Sequence, residues 1–284
     1  MPIQKVAVIG SGTMGAGIVQ LVLQNGYPAV MYDINDEILN KAKETIHKRL
    51  ERLNEKGRLS VQELEAAKPN LTLATDLKEV GNCDLIIEAV PEKLELKKSI
   101  FKDVSAISKP GAILATNTSS LSVTQISTSV DKPEYFLGMH FFNPAPLMPL
   151  VEVVKGMKTD PQAAEQVVDF AKKLHKTPVL CEDTPGFIVN RIARPFYNEA
   201  IRIMSEQLAS PEQIDRIMKK AGNFKMGPFE LQDLIGIDVN FSSTKSVHEG
   251  FFGESRFRPQ PFQERMVQAG ILGRKTNKGY YDYE

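Results

Sequence analysis

The sequence predicts an α/β protein, with a doubly wound parallel sheet in its N-terminal part and an all-helical C-terminal domain. Two observations lead to this prediction. Short apolar runs rich in β-branched residues alternate with amphipathic helical patterns as far as residue 185, which favours parallel strands covered by helices. From residue 186 to residue 284 the patterns are helical only. We therefore predict two domains, residues 1–185 and residues 186–284.

The first strand and helix follow one another closely. "KVAVIG" (residues 5–10) predicts a buried strand, and "TMGAGIVQLVLQNG" (13–26) predicts the helix after it. "AVMYD" (29–33) predicts the second strand. A long helical pattern with a Lys- and Arg-rich outer face then runs from residue 36 to residue 56.

The rest of the first domain contains further strands, one of them antiparallel. Three more runs predict strands: "DLIIEAV" (84–90), "AILATNT" (112–118) and "YFLGMHF" (135–141). "PLVEVV" (149–154) follows the last of these after a loop too short for a parallel crossover, so we expect antiparallel pairing. "DPQAAEQVVDFAKKLHK" (160–176) predicts a helix with Asp160 as N-cap and Pro161 at its first position. "TPVLC" (177–181) predicts the last strand.

The second domain is predicted from helical patterns alone. They cover residues 186–206, 210–221, 227–248 in broken form, and 259–269. The tail "GRKTNKGYYDYE" (273–284) is basic and then aromatic, which indicates an ordered extension.

The composition excludes several classes of protein. Lys and Arg total 35, as do Asp and Glu, so the net charge gives no general basis for binding nucleic acid or an anionic membrane. No apolar stretch approaches the ~20 residues of a membrane span, and the first strand leaves no room for a signal peptide. Cys83 and Cys181 lack metal-ligand spacing and suggest reduced packing residues. We expect a cytoplasmic protein without a metal, unless a targeting segment has been removed.

A glycine motif points to a nucleotide. In "GSGTMG", Gly10 would let the chain turn sharply, Gly12 would admit a pyrophosphate, and Gly15 would let the helix lie close to the sheet. The N–H groups near Thr13 and Met14 would then face the anion at the start of the helix. A glycine turn that binds nothing is the alternative.

An acid supports the nucleotide interpretation. Asp33 ends the second strand, close to the position from which an acid binds the ribose hydroxyls in this motif. Its charge would repel a 2′-phosphate, which favours NAD over NADP. Strand, helix and acid together predict a Rossmann-like, NAD-binding domain.

A histidine and a glutamate form the second motif. Glu152 interrupts an apolar run, and a buried carboxylate needs a partner because leaving it unpaired costs several kcal/mol. Antiparallel pairing would bring it to His140, where it would fix the tautomer and prepare the other ring nitrogen as a general base. The alternative is a core histidine and a solvated glutamate.

Four segments give the sequence a resemblance to a known family. "NTSSL" (117–121), "HFFNPAPLMPLVEVV" (140–154), "DTPGFIVNR" (183–191) and "MGPFEL" (226–231) resemble the L-3-hydroxyacyl-CoA dehydrogenases, most of all the short bacterial 3-hydroxybutyryl-CoA dehydrogenases. The resemblance covers nearly the whole chain. It implies reversible, NAD-dependent oxidation of a 3-hydroxyacyl-CoA, and a helical second domain that forms a homodimer.

The resemblance also implies roles for individual residues. His140 matches the catalytic base and Glu152 its partner. Ser119 matches a hydroxyl that contacts the substrate oxygen, and Asn190 matches an amide that orients the substrate. "NTSS" as a plain helix cap, and Asn190 as a plain helix-start residue, remain alternatives.

Other matches concern the cofactor and coenzyme A. Positions on the cofactor side are Glu92, Lys97, Asn143 and Lys275. Lys56 matches a position that meets the CoA phosphates, although the basic helix before it is equally typical of a solvated face. Arg49 stands where some relatives carry a small hydroxyl residue, which puts the adenine-side contacts in doubt.

Two rival functions remain open at this level. One is a β-hydroxyacid dehydrogenase that acts on free acids, but such enzymes rely on a catalytic lysine and would leave the His140 and Glu152 pairing without a purpose. The other is a non-catalytic protein that binds NAD as a sensor or structural component. Such a protein would be expected to lose its proton-transfer residues.

Overall fold

The computed structural model describes residues 2–284. The chain divides into two compact units, Met1–Asp183 and Thr184–Glu284. The first unit contains eight strands and six α-helices, and the second contains five α-helices. Within the described residues, no helix has both the length and the apolar character that crossing a membrane requires.

The first unit is built on one eight-stranded sheet. The strands are β1 (Val6–Ile9), β2 (Ala29–Tyr32), β3 (Leu71–Ala74), β4 (Leu85–Glu88), β5 (Ile113–Thr116), β6 (Phe136–Phe141), β7 (Leu150–Lys155) and β8 (Thr177–Glu182). They lie in the order β3-β2-β1-β4-β5-β6-β7-β8. As predicted, β6 and β7 pair antiparallel, whereas every other neighbouring pair is parallel.

Helices cover both faces of this sheet. They are α1 (Thr13–Gln24), α2 (Asp36–Glu55), α3 (Val61–Ala67), α4 (Leu94–Ile107), α5 (Val123–Ser127) and α6 (Pro161–Lys173). On one face Leu137 and Met139 of β6 join a core with α1, α2 and α6. On the other face Phe136 meets Phe101 of α4 edge to face at 4.7 Å, because successive strand residues point to opposite sides. This doubly wound arrangement confirms the predicted fold class.

The strand β3 and the helices α3, α4 and α5 of the first unit were not predicted individually. β3 is a four-residue edge strand, and Ala74 is its only fully buried residue. α3 is a short helix that Ser60 begins with a capping box to Glu63. β3 and α3 are both brief, so neither carries an apolar period long enough to recognise.

The second unit consists of helices around a small core. They are α7 (Val189–Ser205), α8 (Pro211–Lys220), α9 (Pro228–Ile235), α10 (Ile237–Gly250) and α11 (Pro261–Gln268). Gly236, with φ +103°, separates α9 from α10 and accounts for the predicted broken pattern. Ile201, Ile214 and Phe229 lie at the centre of the core.

Two buried aspartates hold the C-terminal tail of this unit in place. Asp215 accepts a hydrogen bond from the Tyr281 hydroxyl at 2.8 Å. Asp233 accepts from the backbone N–H of Tyr280 at 3.0 Å and from the Tyr283 hydroxyl at 2.9 Å. Both aspartates are 1% exposed. The tail is therefore ordered, as predicted, and completes the hydrogen bonding of these two carboxylates.

Candidate active site

The glycine loop between β1 and α1 has the geometry expected of a nucleotide cradle. Gly10 has φ +98°, and a Cβ there would lie 2.9 Å from the Ala89 carbonyl oxygen. A Cβ on Gly15 would overlap the carbonyl oxygen of Gly10, so the turn and the helix can approach only because both residues are glycine. A Cβ on Gly12 would meet nothing within 4 Å, which leaves open space at the helix start.

The start of α1 suits an anion. The helix begins at Thr13 with Gly12 as N-cap, and no side chain caps it. No acidic residue stands in its first turn, which includes Met14. Backbone N–H groups and the positive end of the helix dipole therefore lie beside the open space at Gly12. These residues fit the pyrophosphate of a dinucleotide.

Asp33 lies against the same loop. Its Oδ2 accepts hydrogen bonds from the backbone N–H and the hydroxyl of Ser11, at 2.9 Å and 2.7 Å. Its Oδ1 accepts from the N–H of Asn35 at 3.4 Å. The acid after β2 is thus held next to the turn after β1, because parallel neighbours end at one edge of the sheet.

His140 and Glu152 stand directly opposite each other on β6 and β7. His140 Nδ1 lies 2.7 Å from Glu152 Oε2. Both residues are buried, with exposed fractions of 6% and 1%. The Phe142 ring lies 4.5 Å from the imidazole and covers part of it. The antiparallel register therefore places the lone acid of β7 against the lone imidazole of β6.

This contact fixes the chemistry of the imidazole. An ionised Glu152 accepts the Nδ1 proton, so the basic lone pair of the neutral ring lies on Nε2. A proton taken up at Nε2 would leave an imidazolium whose charge faces the carboxylate. The pair can therefore accept and return one proton.

The histidine lies at the same edge of the sheet as the glycine loop. β6 runs parallel to its neighbour β5, so its C-terminal end, with His140, is at the edge where β1 leads into Gly10. The loop after β6 packs on α1, since a Cβ on Gly17 would lie 3.4 Å from both Ala145 and Pro146. The His140–Glu152 pair and the glycine loop thus share one edge of the sheet.

A buried charge network lies between these two sites. Lys97 of α4 is 1% exposed, and its Nζ lies 2.6 Å from Glu88 Oε1 and 3.2 Å from Glu92 Oε2. Glu88, at the end of β4, also accepts from the Val90 N–H at 2.7 Å and the Thr116 hydroxyl at 2.6 Å. One buried cation thus joins two carboxylates.

Glu92 extends the network to the segment after β5. Its Oε1 accepts from the Thr118 hydroxyl at 2.5 Å and from the N–H groups of Ser119 and Ser120, at 2.9 Å and 3.1 Å. Partial burial raises the pKa of Glu92. Lys97 and these hydrogen bonds together lower it by a larger amount, so the pKa lies below its usual value. An ionised Glu92 therefore fixes the backbone that carries Ser119.

Sequence reasoning missed Glu88 and Thr118. Glu88 carries the same signal as Glu152, an acid inside an apolar run ("DLIIEAV"), and a lysine follows it nine positions later. The rule that a buried carboxylate needs a partner would have paired it with Lys97. Thr118 carries no comparable signal.

The remaining predicted residues lie in the loop after β6, directly after α2, and in the second unit. Asn143 is exposed in the loop between β6 and β7, where its bond to Pro144 is cis. Lys56 is exposed directly after α2. Lys275 pairs with Asp238 at 2.5 Å.

Asn190 lies in the first turn of α7. Its Oδ1 accepts a hydrogen bond from Arg194 at 3.3 Å. The structure therefore gives the side-chain amide of Asn190 a defined partner within the second unit.

The described residues contain no group of three or more His, Cys, Asp and Glu side chains that could hold a metal ion. The donors at the candidate site are instead amides, hydroxyls and paired charges. These suit organic substrates and proton transfer.

Comparison with known proteins identifies both units. Residues 5–184 match the NAD binding domain of 3-hydroxyacyl-CoA dehydrogenase, and residues 186–283 match its C-terminal domain. The chain is 46% identical to 3-hydroxyadipyl-CoA dehydrogenase of Escherichia coli, over 99% of this chain and 59% of that protein. It is 44% identical to a probable 3-hydroxybutyryl-CoA dehydrogenase of Deinococcus radiodurans, over 98% of this chain and all of that protein.

The chain also resembles solved structures of 3-hydroxybutyryl-CoA dehydrogenases. A crystal structure of 3-hydroxybutyryl-CoA dehydrogenase from Escherichia coli has a TM-score of 0.97 at 46% identity, over 100% of this chain and 60% of that one. The (S)-3-hydroxybutyryl-CoA dehydrogenase of Ralstonia eutropha has a TM-score of 0.95 at 38% identity, over 99% of both chains. The chain thus spans about three fifths of the two Escherichia coli proteins and nearly all of the other two.

Proposed function

The chain belongs to the family of NAD-dependent 3-hydroxyacyl-CoA dehydrogenases, and on that premise we propose that it interconverts (S)-3-hydroxyacyl-CoA and 3-ketoacyl-CoA. The observation that carries the proposal is the 2.7 Å contact between His140 and Glu152, at the sheet edge that also holds the glycine loop. Alcohol oxidation needs a base for the hydroxyl proton and an acceptor for the hydride. The His140–Glu152 pair supplies the base, and the glycine loop holds the cofactor that accepts the hydride.

His140 takes the proton in this reaction. Its Nε2 accepts the proton of the substrate's 3-hydroxyl group, and Glu152 stabilises the imidazolium that results. When bound, NAD supplies the acceptor for the hydride that leaves C3. In the reverse direction the imidazolium returns its proton to the carbonyl oxygen, so the same pair serves both directions.

Ser119 and Asn190 orient the substrate oxygen. A hydroxyl and an amide are preorganised dipoles, and they stabilise charge that develops on the oxygen as the proton moves. Glu92 supports this role, because it fixes the backbone N–H groups of Ser119 and of the residue after it. The network around Lys97 acts through Glu92 and is a positioning element.

The cofactor is held by the glycine loop and Asp33. Gly10, Gly12 and Gly15 admit the pyrophosphate, and Asp33 meets the adenosine ribose, where its charge disfavours the 2′-phosphate of NADP. Thr13 and Met14 contribute N–H groups at the helix start. Further contacts to the cofactor come from Glu92, Asn143 and Lys275. Lys97 is buried between two carboxylates, so it acts through Glu92 and does not contact the cofactor itself.

Coenzyme A meets the basic helix. Lys56 is exposed directly after α2, where it can reach a CoA phosphate. Exposed Arg49 lies on the same helix and provides a second cation. The relatives' names include an acyl chain that ends in a methyl group, 3-hydroxybutyryl, and one that ends in a carboxylate, 3-hydroxyadipyl. A short acyl chain is common to both.

The enzyme acts as a homodimer through its second unit. Large apolar side chains are exposed there on several helices: Ile192, Leu208, Ile217, Phe224, Leu234 and Val239. Exposed apolar surface of this kind is typical of a protein interface.

In the first unit, burial raises the pKa of the Cys83 thiol to about 11, which keeps it inert. Free thiols fit the reducing cytoplasm, where we place the enzyme.

The direct test mixes the protein with acetoacetyl-CoA and NADH and follows the absorbance of the reduced nicotinamide. We expect the absorbance to fall, and to stay constant when free acetoacetate replaces the thioester. Tight NADH binding without any turnover would instead support the non-catalytic alternative. Turnover of the free acid alone would support a β-hydroxyacid dehydrogenase.

A further inference from the structure

Arg194 is a buried cation without an acid. It lies in α7 and is 3% exposed. Its hydrogen bonds go to neutral oxygens only: the carbonyl of Asn240 at 2.8 Å, the hydroxyl of Thr244 at 3.2 Å, and two oxygens of Asn190 at 3.3 Å. In the described part of the chain, no carboxylate lies within 4.0 Å of its nitrogens.

Such an arrangement is unusual. Arginine is almost never fully buried without an anionic partner, because taking a charge out of water is costly. Lys97 in the first unit follows that rule with two carboxylates. Burial lowers the pKa of Arg194 to about 10, so the side chain still carries its charge near neutral pH.

The guanidinium has one donor left. It offers five N–H groups, and the four hydrogen bonds described use Nε once, one terminal nitrogen twice and the other terminal nitrogen once. The remaining N–H is on the nitrogen that also donates to Asn190 Oδ1. The unused donor thus lies next to the amide that we assign to the substrate oxygen.

The anion that suits this donor is a carboxylate on the substrate's acyl chain. CoA phosphates are a poor match, because the pantetheine arm separates them from the substrate oxygen to which we assign Asn190. A carboxylate a few bonds beyond C3 would come close to Arg194 and supply the missing negative charge. A methyl group in the same place would leave the cation unpaired.

Resting on the function proposed above, we infer that Arg194 forms a subsite for the terminal carboxylate of the acyl chain. The preferred substrates are then CoA thioesters of 3-hydroxy dicarboxylic acids. Arg194 sets specificity, whereas His140 and Glu152 carry out the reaction.

Two substrates of equal chain length test the inference on the unaltered protein. 3-Oxoadipyl-CoA and 3-oxohexanoyl-CoA differ only in a terminal carboxylate against a methyl group. We expect kcat/KM with NADH to be at least about tenfold higher for 3-oxoadipyl-CoA, the effect of one charge-assisted hydrogen bond. Equal values, or a preference for 3-oxohexanoyl-CoA, would overturn the inference.

Variants then assign the preference to Arg194. Arg194→Met should bring the ratio of the two kcat/KM values to one or below, and Arg194→Lys should retain part of it. Arg202→Met is the matched control, since Arg202 lies on the same helix, exposed and paired with Glu199, and should keep the full ratio. If Arg194→Met lowers both values by the same factor, Arg194 only orients Asn190 and the carboxylate subsite is wrong.

A binding measurement separates this inference from the proposed function. Adipyl-CoA and hexanoyl-CoA both lack the reacting oxygen and differ only at the end of the acyl chain, so the ratio of their affinities by titration calorimetry reports that end alone. We expect adipyl-CoA to bind at least about tenfold more tightly. Failure to reduce either ketoacyl-CoA, together with this binding preference, would contradict the reaction but not the subsite. Reduction of both without the binding preference would contradict the subsite but not the reaction.

Discussion

The two units stabilise buried charge in different ways. In the first, Lys97 lies between Glu88 and Glu92, so a cation directly meets two anions. In the second, Arg194 and Asp215 are held only by neutral donors and acceptors. Lys97 is thus paired with opposite charges, whereas Arg194 and Asp215 are surrounded by dipoles.

This difference changes the pKa values of the buried carboxyl groups. Burial alone would raise the pKa of both Glu92 and Asp215. Lys97 and several hydrogen bonds bring the pKa of Glu92 below its usual value, whereas two backbone N–H groups and the Tyr281 hydroxyl leave that of Asp215 raised. Neutral hydrogen bonds therefore do not offset burial at Asp215, whereas an opposite charge does at Glu92.

The largest expected effect comes from breaking the paired network. Lys97→Met leaves the buried Glu88 carboxylate without its cation, which should lower the free energy of unfolding by about 3–5 kcal/mol. Urea denaturation measures this change. Lys102→Met, at an exposed position of the same helix, should change it by less than about 0.5 kcal/mol. Similar values for the two variants would show that the pairing contributes little.

The next effect concerns the histidine, whose partner is also an opposite charge once it is protonated. His140→Gln should lower turnover by at least ~100-fold, the lower end of general-base effects. NADH affinity, followed by fluorescence, should stay near that of the unaltered protein. The control is His175→Asn, since His175 is exposed and has a positive φ that asparagine tolerates. Normal turnover in His140→Gln would remove this residue from the mechanism.

A smaller effect is expected at Asp33, a carboxylate of the first unit that resembles Asp215 in having only neutral donors. Asp33→Ala should reduce the preference for NADH over NADPH by about tenfold, because the charge that repels a 2′-phosphate is gone. Asp33→Asn separates charge from size and should behave similarly. The ratio of the two Kd values is the measurement. An unchanged ratio would mean that Asp33 does not meet the ribose.

The smallest effect is a contrast in pH dependence. The pKa of Glu92 is lowered by folding, so its contribution to stability is present above the usual carboxyl pKa and is lost as pH falls. The pKa of Asp215 is raised, so folding gains stability as pH falls through that raised value. The unfolding free energy of each variant is compared with that of the unaltered protein from neutral pH downward. As pH falls, the unaltered protein should lose stability relative to Glu92→Gln and gain stability relative to Asp215→Asn. Parallel curves would contradict the contrast.

The sequence predicted the features that depend on local pattern. β1, α1 and the antiparallel β6 and β7 follow from apolar runs, glycines and a short loop, and all are present. The edge strand β3 escaped prediction because it has only four residues, although Leu71 and Leu73 pack against the core. Edge strands of four residues simply carry too little pattern.

The contacts of the candidate site also differ in how far the sequence predicts them. The contact between His140 and Glu152 could be expected, because two neighbouring strands set its register. Arg194 could not, since its partner Thr244 lies 50 positions further along the chain, on a different helix. Contacts between helices depend on how those helices pack, and no single run of residues records that.

The tail of the second unit bears on the order of events during synthesis. Asp215 and Asp233 leave the ribosome well before the tyrosines that bond to them, so α8 and α9 emerge carrying carboxylates whose tyrosine donors are still missing. Every partner described for Lys97, by contrast, lies within nine positions of it. The nascent chain can therefore complete its first charge network early, whereas the helical unit has to wait for Tyr283.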